Sequence, residues 1–159
     1  MTDDLRWAEP EEAGALAEMW YVAWQDGHVG VVPDALVRAR SRAAFDQRVQ
    51  DNLPRIRVAG PVGKPLGLCI TREEQLHQLF VAAEARRSGL ASRLLADAEA
   101  RLKAEGVRRS WLKCAAGNER AAAFYRTRGW TVARTETSLF GQELGEGVPV
   151  VTWIFEKDL

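Results

Sequence analysis

The chain has 159 residues, with 22 Lys and Arg against 22 Asp and Glu, so its formal charge is zero. Apolar residues make up 47% and charged residues 28%, the balance of an ordinary globular domain, and the length suits one core over residues 1–159. This balance argues against a general nucleic-acid binder, which carries a basic excess, and no apolar run reaches the roughly 18 residues of a membrane span.

Leu5 to Ala8 reads as a short strand, and Pro10 opens a helix with Glu11 and Glu12 in its first turn, where the macrodipole favours acids. Ala13, Leu16, Ala17, Trp20 and Trp24 recur at helical spacing, and Gly27 and Gly30 break that helix. A second helical region runs from Pro33 to Asn52 on Leu36, Val37, Phe45 and Val49, and Leu53-Pro54 ends it. The period then changes to two. Arg55 to Ala59, Leu66 to Thr71 and Gln75 to Val81 read as strands joined by Gly60 to Pro65 and Arg72 to Glu74, an antiparallel meander. Simple alternation puts Leu76, Gln78 and Phe80 on one face and His77, Leu79 and Val81 on the other.

A polar connection, Ala82 to Ser88, reaches Gly89, and Leu90 to Glu105 is an amphipathic helix stopped by Gly106. Val107 to Ala115 is a strand, Asn118 is an N-cap for Glu119 to Arg128, and Gly129 stops that helix. Trp130 to Thr137 and Val148 to Phe155 are the last strands, connected by Gly141 to Gly147. The class is α/β. The strand–helix–strand unit around Gly89 makes one parallel pair in an otherwise mostly antiparallel sheet.

Cys69 and Cys114 are the only cysteines, far apart and in apolar stretches, with no CxxC, His/Cys cluster or HExxH. Neither a metal site nor a disulfide is expected. Reduced thiols, and a start from Met1 to Trp7 without an apolar leader stretch, set the expectation of a cytoplasmic protein. Gly63-Lys64 mimics the end of a P-loop, but Pro65 replaces the required Ser or Thr. There is no GxSxG elbow, and a plain dinucleotide fold needs a GxGxxG after the first strand that this chain lacks.

The chemistry concentrates in Leu79 to Ser92. A strand ends, a helix begins, and between them lies a turn of small residues with two arginines. The first amides of that helix have no intrahelical partner. Gly89 and the small Ala91 let a ligand approach, so the amides from Arg87 to Ser92 can converge on an anion. The same residues also read as an ordinary βα loop whose glycine serves geometry.

Arg86-x-x-Gly89-x-Ala91, followed by Asn118 and then Ala122-x-Phe124-Tyr125-x-x-x-Gly129-Trp130, resembles the GCN5-related N-acetyltransferases (GNAT). The resemblance covers Leu66 to Trp130, and the flanks match in element order. It implies a GNAT-like acyl-CoA N-acyltransferase fold, with the parallel pair splayed around acetyl-CoA and no metal. Backbone groups of Leu79 and Val81 would pair with the pantetheine arm, and a backbone N–H of Phe80 or Val81 would hold the oxyanion. The loop Arg86, Arg87, Ser88, Gly89, Leu90, Ala91 and Ser92 would hold the pyrophosphate, and Asn118 would meet the pantetheine side. Tyr125 matches the family's general acid, a phenol that protonates the departing thiolate; as packing, it is a half-buried aromatic.

The implied activity is transfer of acetyl from acetyl-CoA to a primary amine in a ternary complex. The alternative is a module on the same fold that binds acyl-CoA without turnover. The acceptor is a small-molecule amine or a peptide or protein amine, and a homodimer through the last strands is open. His77 has the ordinary pKa of a base and also suits a half-buried strand. Glu73 and Glu74 read as solvated turn charges. Trp24 and His28, at the end of the first helix, fall where the resembling family walls its acceptor, and also read as core. The acids of Gln142 to Gly147 read as a solvated loop.

Overall fold

The strands Leu5–Trp7 (β1), Ile56–Ala59 (β2), Gly67–Arg72 (β3), Gln75–Val81 (β4), Arg109–Ala115 (β5), Thr131–Phe140 (β6) and Val148–Asp158 (β7) form one sheet. Its order is β1-β2-β3-β4-β5-β7-β6 in the computed structural model, which describes residues 5–142 and 145–159. Glu143 and Leu144 of the proposed acidic loop lie outside the described residues. Every pairing is antiparallel except β4 with β5.

Side-chain alternation sends Leu68 and Ile70 to one face and Cys69 to the other. The first face is covered by Ala13–His28 (α1), Asp34–Ala39 (α2) and Arg42–Asn52 (α3), through Leu16, Trp20, Leu36, Phe45 and Val49. The second is covered by Leu90–Ala104 (α4) and Glu119–Arg126 (α5), through Leu94, Leu95, Ala98 and Ala122. The apolar spacings in the sequence are these buried faces.

The last strands run longer than read, β6 to Phe140 and β7 to Asp158, and β5 starts at Arg109 rather than Val107; three differences on the N-terminal side have a visible cause. Pro10–Glu12 is a 3-10 turn preceding α1, because Glu12 turns inward and binds the Arg6 fork at 2.6 and 2.9 Å. The helix α1 runs through Gly27 to His28, since one glycine costs a helix only about 1 kcal/mol. The region from Pro33 to Asn52 is two helices, because the Ser41 hydroxyl accepts from the Ala44 amide (3.2 Å) and starts α3 afresh.

The feature that shapes the site is in β4. Ile70 pairs with Gln78 but Thr71 pairs with Leu76, so His77 is the extra residue of a β-bulge. The bulge resets the alternation expected from sequence: Leu76 shares the α4-side core with Leu79 and Val81, while Phe80 packs on the α1 side. Beyond it, β4 and β5 separate. They share a single ladder position, Gln75 with Trp111, whereas β5 stays paired with β7 from Arg109 to Ala115. The result is a wedge that opens toward Val81 and Ala115.

Candidate active site at the splayed strands

The strand edge facing the wedge follows from hydrogen-bond alternation. The Ala82 amide donates to the Leu66 carbonyl at 2.8 Å, so Phe80 and Gln78 are the residues that exchange bonds with β3. Leu79 and Val81 therefore turn their N–H and C=O groups into the gap. The Phe80 amide is committed to β3, which removes it as an oxyanion donor and leaves Leu79 and Val81.

A cleft of about 620 Å³ lies over the open end of the wedge, walled by Leu79, Phe80, Val81, Arg86, Arg87, Gly89, Leu90, Ala91 and Ser92 and by Asn118 and Tyr125 across from them. Arg87 (φ 63°) and Gly89 (φ 83°) are both left-handed, which bends the chain into a nest of amides before α4. A Cβ on Gly89 meets no protein atom within 4 Å, so it would project into open space. Ser88 does not line the cleft: its hydroxyl donates to the Ala85 carbonyl and accepts from the Leu90 amide at 3.4 Å. Arg86 lines the cleft while pairing with Asp26 of α1 at 2.8 Å, tying the loop to α1. Arg120, Arg128, His28 and Phe124 also line it, and no acidic side chain contributes among the described residues. Arg128 stacks on Phe124 at 4.0 Å and donates to the Ser92 hydroxyl. The sequence reading missed it, because its partner Ser92, in the first turn of α4, lies 36 residues away in the chain.

A second cavity of about 370 Å³ continues on the α1 side. Trp24, Val32, Leu36, Trp111, Leu139 and Phe140 make its apolar walls, and His28, His77, Arg40, Arg48, Arg72 and Lys113 also line it. Glu73 and Glu74 are exposed in their turn and do not line it.

Both spaces share His28, Leu79, Phe80, Asn118, Ala121 and Tyr125. Asn118 caps α5, its Oδ1 accepting from the Ala121 amide at 3.4 Å. Its Nδ2 faces Gly27, 3.5 Å from where a Cβ would stand. The Tyr125 ring is set edge-on against Phe124 and Trp130, at 5.3 and 6.1 Å between centroids. Burial pushes its phenol above the ordinary value, helped by Cys114 and Cys69, so it remains protonated. His28 stacks on Trp24 at 4.5 Å, and its Nδ1 lies 2.8 Å from the Trp24 carbonyl. Burial lowers its pKa against the raising effect of that bond, and Arg48 and Arg40 lower it further. Burial also lowers His77 to about 4, with Arg72, Arg48, Lys113 and Arg40 adding to the shift. Cys114 borders the junction as a neutral thiol pushed up to about 11 by burial. Among the described residues, no three His, Cys, Asp or Glu side chains group as metal ligands.

The arrangement is a cleft rich in amide and guanidinium donors that meets a second cavity at a phenol and an imidazole. Comparison with solved structures returns the same fold. The GCN5-related N-acetyltransferase "Aminotransferase, Class-II" from Rhodopseudomonas palustris superposes with a TM-score of 0.79 at 18% identity, covering 100% of this chain and 97% of that one. The PaiA N-acetyltransferase from Thermoplasma acidophilum, in complex with coenzyme A, gives 0.72 at 20% identity with 100% of both chains covered. The ribosomal-protein-alanine N-acetyltransferase from Brucella melitensis gives 0.66 at 21% identity, with 98% and 99% covered. No curated protein matches the sequence. The model of the acetyltransferase (GNAT) family matches residues 3–130, four-fifths of the chain, and the protein therefore belongs to the GNAT acetyltransferase family.

Proposed function

We propose that the protein transfers an acetyl group from acetyl-CoA directly to a primary amine while both are bound. The observation that carries this reading is that His28, Leu79 and Tyr125 stand on the shared wall of the two spaces, where a thioester and an amine would meet.

The cleft fits the donor. The amides of the nest and of the first turn of α4, with Arg87 and Arg128 beside them, would hold a pyrophosphate. The gap-facing backbone of Leu79 and Val81 would bind the pantetheine arm as an added strand. Leu79 borders both spaces whereas Val81 borders only the cleft, so the Leu79 N–H is the donor assigned to the thioester oxygen.

His28 supplies a base. A carbonyl only accepts, so Nδ1 carries the hydrogen that goes to Trp24, and Nε2 keeps a free lone pair. It takes the proton lost by the attacking nitrogen. Tyr125 gives its phenolic proton to the sulfur as the carbon–sulfur bond breaks, and solvent later returns the His28 proton to the phenolate. The products are an acetamide and a free thiol. Cys114, the thiol at the junction, is held protonated by burial, which weighs against an acetyl-cysteine intermediate.

Thiol release over a panel of amines tests the reading, with Tyr125→Phe as the control. Turnover that falls about 100-fold or more in the variant, at similar acetyl-CoA affinity, is expected. Binding of acetyl-CoA with equal background release by both proteins would leave a binding module instead.

A further inference from the structure

The acceptor cavity is lined by four cationic side chains, Arg40, Arg48, Arg72 and Lys113, and by no Asp or Glu among the described residues. Two of these cations carry the inference. Arg72 donates to the neutral Asn52 Oδ1 at 3.1 Å, and the Lys113 ammonium lies 5.7 Å from the Phe140 ring centroid. Neither pairs with a carboxylate among the described residues. They reach the cavity from β3 and β5, the strands on either side of β4, near the closed end of the wedge, where β4 and β5 meet at Gln75 and Trp111. The reacting end, with His28 and Tyr125, is the opposite one.

Resting on the acetyl-transfer reading, we propose that the acceptor is a primary amine that also bears an oxyanion, with a carboxylate or phosphate held by Arg72 and Lys113 and an apolar portion against Trp24, Leu36, Trp111 and Phe140.

The charges that act on the His77 ring are all cationic among the described residues. Cations from β3 (Arg72), β5 (Lys113), α3 (Arg48) and the α2 end (Arg40) all act on the His77 ring. A polycationic acceptor placed there meets like charge on several sides, while an anion gains charge-assisted hydrogen bonds. The aromatic and aliphatic walls favour amino acids with apolar side chains over small polar ones.

The test pairs each acceptor with its relative lacking the anion: phenylalanine with phenylethylamine and leucine with isoamylamine, beside phosphoethanolamine and spermidine. Transfer to the anionic member at 10-fold or greater kcat/KM is expected. Arg72→Gln with Lys113→Gln should raise its KM 10-fold or more and leave acetyl-CoA affinity unchanged. Phosphoethanolamine against the amino acids separates the two oxyanions. A readout independent of turnover is the His77 ring proton signal in NMR, titrated with N-acetylphenylalanine. A bound carboxylate should raise the His77 pKa from about 4, and the double variant should abolish the effect. That shift without transfer to any amine supports the oxyanion site and sinks the acetyl-transfer reading. Transfer to spermidine or phenylethylamine at an equal or better rate overturns the oxyanion proposal and keeps acetyl transfer. No transfer and no shift overturns both.

Discussion

His28 donates from Nδ1 to the carbonyl of Trp24, one turn earlier in the same helix, at 2.8 Å, and the two rings lie stacked at 4.5 Å with 6° between their planes. The backbone bond fixes the tautomer, and the stack fixes the ring plane. The other nitrogen is thereby the one available at the junction of the two spaces.

That relationship predicts a pH profile. Burial first, and Arg48 and Arg40 with it, lower the His28 pKa below 6.5, with the Trp24 bond acting the other way. A base works deprotonated, so kcat/KM should rise with pH along a limb whose midpoint lies below 6.5. His28→Gln should lower kcat/KM about 100-fold and erase this acidic limb. A limb unchanged in the variant would assign it to another group.

Gly89 predicts a binding defect. Its φ of 83° is left-handed, and its missing Cβ would project into open space beside the cleft that Gly89 lines. Gly89→Val should cost about 1–2 kcal/mol in backbone strain and weaken acetyl-CoA binding at least 10-fold by calorimetry. Gly106 has φ 91° and nothing near its missing Cβ either, but it sits at the far end of α4. Gly106→Val should share the stability loss and spare the affinity.

Stability should depend on pH through His77. Its folded value of about 4 lies below the unfolded 6.5, so the unfolded chain takes up the proton first as pH falls. The penalty is absent above pH 7 and grows from pH 6.5 down to 4, to roughly 2–3 kcal/mol. Urea unfolding at pH 7.5 and 4.5 should show a smaller acid loss in His77→Phe than in the parent chain.

Glu12 predicts a purely structural effect. It is 2% exposed and holds the Arg6 fork and the amides of Glu9 and Gly63, at 2.8 and 3.2 Å. Burial alone would raise its carboxyl, but those bonds outweigh burial and leave the pKa lowered. Its contribution is therefore present at neutral pH and is lost as the carboxyl protonates in acid. Glu12→Ala leaves Arg6 half-buried beside an empty site and should cost about 3 kcal/mol, or roughly 6–12 °C in Tm, without changing acetyl-CoA affinity.

Much of this was legible in the sequence because it is written in local patterns. The period-two and period-3.6 runs gave the strands and helices, and β4 matched residue for residue from Gln75 to Val81. Gly89 caps α4, and Asn118 caps α5, which carries Tyr125, as their helices were read. What was not legible depends on pairing. The bulge at His77 comes from the offset of β4 against β3, and neither strand states it alone. It reversed the expected facing of Leu76, and the pairing of Phe80 with β3 leaves Leu79 and Val81 as the gap-facing amides, where Phe80 or Val81 was expected. The cations of the second cavity are scattered from Arg40 to Lys113, and only the closing of the sheet brings them together. Arg128 was hidden for the same reason.

The central claim is that the gap between β4 and β5 holds the thioester with its sulfur under Tyr125. A crystal structure with coenzyme A tests it most directly. The pantetheine should pair with Leu79 and Val81, the pyrophosphate should rest on the amides from Arg87 to Ser92, and the sulfur should lie about 3–3.5 Å from the phenolic oxygen. Coenzyme A bound outside the wedge, or a phenol turned away from the sulfur, would contradict the account.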